Sequence, residues 1–89
     1  MTPEQKELIR LFLSEKWQVY QTTGGSFENW LVDFIILTKA QQYSVIKTWL
    51  SERKTANTAL LNSLEAQKLA NENRINLENA IIDNLSSSI

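Results

Sequence analysis

Apolar residues return at helical spacing from the start of the chain. Ile9, Phe12, Leu13, Trp17 and Tyr20 recur along one stripe, and Leu8, Leu11 and Val19 widen it. The residues before it form a start signal. Thr2 suits the capping position, Pro3 the first helical position, and Gln5 completes a Thr-x-x-Gln box. Thr22-Thr23-Gly24-Gly25 supplies residues that accept left-handed backbone angles where a helix stops. The pattern predicts a first helix over 3–22.

Ser26 begins the next element. Phe27, Trp30, Leu31, Phe34 and Ile35 fall on one helical face, while Val32, Ile36 and Leu37 make the segment apolar nearly all round. Such a helix, predicted over 27–37, is expected to be buried on more than one side. A strand competes over Val32–Leu37, where β-branched and aromatic residues cluster. No second strand candidate exists to pair with it, so helix is the better reading.

Thr38 and Gln41 form another capping box, and Tyr43, Ile46, Trp49 and Leu50 continue a helical stripe. From Leu50 to Ile89 there is no glycine, proline or aromatic residue. An unbroken helix over 39–85 would be a rod of roughly 70 Å at 1.5 Å per residue. A head of this size cannot cover such a rod, which must meet another chain, fold back or lie in solvent. Leu61, Leu64, Ile75, Ile82, Leu85 and Ile89 fit one heptad seam, interrupted by Lys68, Asn71 and Glu78. Ala59, Ala66, Ala70, Leu77, Ile81 and Leu85 fit a second stripe of longer period, interrupted by Ser63 and Arg74. A turn at Asn71-Glu72-Asn73 is the alternative to the rod, because asparagine favours turns over helix interiors.

The expected fold is therefore all-α. A small head of two short helices packs on the start of a long C-terminal helix, which is coiled-coil-like or folded back as a hairpin. The aromatic-rich head spans 1–50 and the aromatic-free extension 51–89, as one structural unit without a linker.

Composition narrows the chemistry. In 89 residues there is neither histidine nor cysteine, so the commonest general base, the commonest metal ligand and all thiolate chemistry are missing. Nine Lys/Arg balance ten Asp/Glu, which suggests neither a polyanion nor a DNA mimic. Thr2–Glu7 is polar and acidic, unlike a secretory leader, and no apolar window approaches the length of a membrane span. The protein is expected in the cytoplasm or assembled in a particle.

Asp33 lies within an apolar run, but on a helix it shares a side with Asn29 and is expected at the polar edge. Glu65, Glu72, Glu78 and Asp83 read as exposed helix charges, with Lys68/Glu72 and Arg74/Glu78 as i,i+4 pairs. No catalytic residue, metal site or cofactor is expected. The sequence favours a non-enzymatic interaction protein of the small structural, assembly or phage-type accessory kind. It would self-associate or dock on a protein through Leu60, Leu61, Leu64, Ile75, Leu77, Ile81, Ile82 and Leu85. The alternative is a nucleic-acid-associated regulator with a basic face of Lys39, Lys47, Arg53 and Lys54.

Overall fold

The computed structural model describes residues 1–63 and 68–89, with side chains outside 64–70. Among the described residues there are four helices and no strand: α1 (Pro3–Thr23), α2 (Phe27–Ile35), α3 (Lys39–Ser63) and α4 (Lys68–Ser88). The chain divides into two compact units, Met1–Ile46 and Lys47–Ile89. The all-α expectation holds, and the segment that competed as a strand is helical through Ile35.

In the first unit the start signals act as their chemistry dictates. The Gln5 backbone N–H donates to Thr2 Oγ1 at 3.2 Å, and the Thr2 N–H donates to Gln5 Oε1 at 3.0 Å. The same reciprocal pair forms between Thr38 and Gln41 at the start of α3. Ser26 Oγ caps α2 by accepting from the Asn29 N–H at 3.2 Å. At the other end of α2, the Gln42 amide donates to the carbonyls of Phe34 and Ile35 at 3.1 and 3.2 Å. A nine-residue helix is too short to persist alone, and these contacts fix both of its ends.

α1 ends at Gly24, whose φ of 75° is the left-handed conformation that glycine adopts without a Cβ penalty. Gly25 serves a different need, since a Cβ there would meet the Tyr20 ring at 2.6 Å. Gly24→Ala is expected to lower stability by about 1–2 kcal/mol, and Gly24→Asn by less. Urea midpoints at unchanged m-value would show this, and an alanine variant as stable as the parent would contradict it.

The core of this unit is aromatic. Phe27, Trp30 and Phe34 form a ladder along one face of α2, with neighbouring centroids 5.6 and 5.3 Å apart. Phe12 of α1 meets Trp30 edge-on at 5.8 Å and Phe34 at 6.2 Å. Leu8 and Phe12 are buried. Trp17 departs from expectation by being 49 % exposed. Five residues of helix turn it about 140° away from Phe12, so it shares a loose stripe with Phe12 but not its face.

In the second unit, α3 and α4 contact one another through polar side chains. Arg53 bonds Glu78, Lys54 bonds Asp83, and Asn57 bonds Glu78 and Asn79. These partners lie 21 to 29 residues apart in sequence. On a continuous rod they would be separated by more than about 30 Å. The rod is thereby excluded and the folded-back alternative is the one found. Its turn, however, is not at Asn71-Glu72-Asn73, because those residues lie within α4. Trp49, Leu50, Ile75, Ile82 and Leu85 are the buried apolar residues described in this unit. Trp49 thus belongs to the second unit, although composition groups it with the head.

Candidate functional site

Two features organise the α3–α4 unit. The first is a half-buried polar brace. Arg53 presents its guanidinium edge to Glu78, with Nε···Oε1 at 2.5 Å and Nη2···Oε2 at 3.3 Å. Asn57 Nδ2 donates to Glu78 Oε1 at 2.9 Å and to Asn79 Oδ1 at 3.0 Å. Arg53 also lies 5.9 Å from the Trp49 ring centroid, a cation–π distance. Glu78 is thus recruited across the hairpin. Arg74, its expected i,i+4 partner, donates to Asn71 Oδ1 instead and acts on Glu78 only through its charge. The Lys68 side chain of the other expected pair lies outside the described residues.

Burial raises the Glu78 pKa, but the hydrogen bonds from Arg53 and Asn57 and the charges of Arg53 and Arg74 outweigh it. The net shift is downward. A carboxylate with a lowered folded pKa stabilises the fold above its unfolded value, near pH 4.3. That contribution fades as pH falls through the folded value. Glu78→Gln is expected to lower stability by about 1–3 kcal/mol at neutral pH. The deficit should shrink as pH falls below the unfolded carboxylate value and Glu78 takes up its proton. Urea titrations of both proteins at each pH measure it; a deficit that grows with acid would be the wrong sign.

Ion pairs across the hairpin also engage half of the basic face. Arg53 is committed to Glu78, and Lys54 Nζ reaches Asp83 at 2.7 Å. Lys39 Nζ lies 5.5 Å from the Tyr43 ring centroid in the first unit, and Lys47 is exposed in the second. Two of the four cations expected to meet phosphates are therefore already opposed by carboxylates. The Lys54–Asp83 pair, exposed on both sides, contributes at most about 1 kcal/mol.

The second feature is the fate of the expected interface. Ile75, Ile82 and Leu85 are buried within the folded chain, so their surface is already covered. Leu61 and Ile81 are half-buried, and Leu64 lies outside the described residues. Leu60 and Leu77 are exposed, Leu77 by 63 %. Three apolar positions that a rod would offer to another chain are thus covered in the folded chain.

A more prominent exposed surface lies in the first unit. Val32, Ile35 and Ile36 are 58, 62 and 76 % exposed. They stand at i, i+3 and i+4, so they share one face of α2 and its C-cap, away from the aromatic ladder. The all-round apolar character of 27–37 signalled this surface, although it predicts burial on several sides; only the aromatic side is covered. Asp33 and Glu28 are exposed beside it, as the polar-edge reading of Asp33 expects.

Among the described residues no cluster of three or more acidic, histidine or cysteine side chains could hold a metal ion. No helix among them is long and apolar enough to cross a membrane. No protein family, curated protein or solved structure matches the chain.

Proposed function

We propose that this chain is a non-enzymatic helical interaction protein, a small structural, assembly or accessory subunit of phage type, that acts by presenting aliphatic side chains to another protein. The observation that carries this reading is the exposure of aliphatic side chains on two helices whose other faces are packed. Val32, Ile35 and Ile36 stand on α2, and Leu77 on α4. Single exposed apolar residues are ordinary, but three on one turn of helix are the mark of a contact surface. Of the residues expected to carry contacts through α3 and α4, Leu60 and Leu77 are exposed and Leu61 and Ile81 half-buried, while Ile75, Ile82 and Leu85 have almost no surface to offer.

The test is a photo-crosslinking amino acid placed at Leu77 and, separately, at Ile36 in the full chain, expressed in its native cell. Adducts are identified by mass, alongside molar mass by light scattering across concentration. A defined adduct with a second copy or with another protein at either position supports the reading. A chain that stays monomeric and yields no adduct at both positions refutes it.

A further inference from the structure

We infer that the outer face of α2 docks an amphipathic helix of a protein partner whose apolar stripe is flanked by lysine or arginine. This rests on the interaction-protein reading and names the partner's chemistry at one surface.

The face is built against local preference. Val32, Ile35 and Ile36 are β-branched and lose side-chain freedom in a helix, and here more than half of each stays exposed. Residues that cost the isolated fold in both respects are expected where a site requires them. Both charged residues of α2 itself, Glu28 and Asp33, are acidic. The exposed residues of α2 are Glu28, Asn29, Val32, Asp33 and Ile35, with Ile36 at its C-cap, and no cation stands on the helix. The C-terminal end of a helix carries partial negative charge, and the last turn of α2 has no basic residue to answer it. The nearest lysine in sequence, Lys39, sits over the Tyr43 ring. The ledge therefore offers three aliphatic side chains beside two carboxylates and the C-terminal end of a helix. The complement is an apolar stripe edged by ammonium or guanidinium groups.

A second copy fits less well. Two such faces set against each other would bring Glu28 and Asp33 of both copies into one interface.

The test uses the full chain and two synthetic helical peptides with the same leucine stripe, one flanked by lysine and one by glutamate. Fluorescence anisotropy reads binding. The lysine-flanked peptide is expected to bind at least about tenfold more tightly, with the preference shrinking as salt screens it. The double variant Ile35→Ser/Ile36→Ser should lose about tenfold or more in affinity while keeping its helical circular dichroism and urea midpoint. Asp33→Lys tests charge separately and should narrow or reverse the preference between peptides.

Equal binding of the two peptides, binding to neither, or undiminished binding by the double serine variant would overturn the inference. So would a dimer that this variant dissociates, which would give the face to a second copy, or anionic vesicle binding that it abolishes. Crosslinks at Leu77 with none at Ile36 would refute this inference while leaving the broader function standing.

Discussion

Replacing Phe12 by alanine is expected to unfold much of the population of this protein at room temperature. Phe12 is 1 % exposed and its ring meets both Trp30 and Phe34 of α2. Truncating a buried phenylalanine costs about 3–5 kcal/mol through lost transfer energy and the cavity left behind. Its two ring contacts place the expected cost toward the upper part of that range. A chain of 89 residues has a total stability toward the lower end of the usual 5–15 kcal/mol, so the loss is a large fraction of the whole. Trp17→Ala supplies the contrast, because that indole is half exposed and its loss should cost about 1 kcal/mol or less. Urea unfolding followed by circular dichroism and tryptophan fluorescence compares them. Equal midpoints for the two variants would mean that the aromatic ladder does not hold the first unit together.

In the second unit, Leu50→Ala is expected to cost about 2–5 kcal/mol, because Leu50 is completely buried. Leu77→Ala deletes the same atoms from an exposed position and should change stability by about 0.5 kcal/mol or less. The pair distinguishes folding from association. If α4 were held chiefly by a second copy through Leu77, the parent's midpoint would rise with protein concentration, and the alanine variant's would be lower and depend on it less. In the hairpin, both variants should show concentration-independent midpoints, with only Leu50→Ala displaced. Thermal and urea unfolding over a hundredfold range of concentration would decide it.

Much of the first unit was legible in the sequence because its signals are local. Thr2, Ser26 and Thr38 each reach an amide only three residues away, and Gly24 solves a problem of its own backbone. The aromatic stripe of α2 was equally plain, since side chains at i, i+3 and i+7 must share a face. The second unit was harder to read. Its fold-back is joined by Arg53, Asn57 and Glu78, whose partnership spans 21 to 25 residues and leaves no periodic trace. Glu78 in particular has an equally good local partner in Arg74 by spacing alone, and only the fold assigns it to Arg53. The asparagines at 71 and 73 pointed to a reversal of the chain but misplaced it, since both lie within α4. The candidate surface on α2 was visible as composition and invisible as exposure. Periodicity says which residues share a face, and only packing says which face is left over.

The amide of Gln42, holding the carbonyls of Phe34 and Ile35, has a kinetic consequence. Without it, the last turn of a nine-residue helix would fray, and a visitor to Ile35 and Ile36 would have to wait for that turn to re-form. With it, the surface exists before any encounter. Association there should follow ordinary rigid docking rates, about 10⁵–10⁷ M⁻¹s⁻¹, with a single exponential and no slow ordering phase. Selectivity among visitors would then reside in how long each one stays.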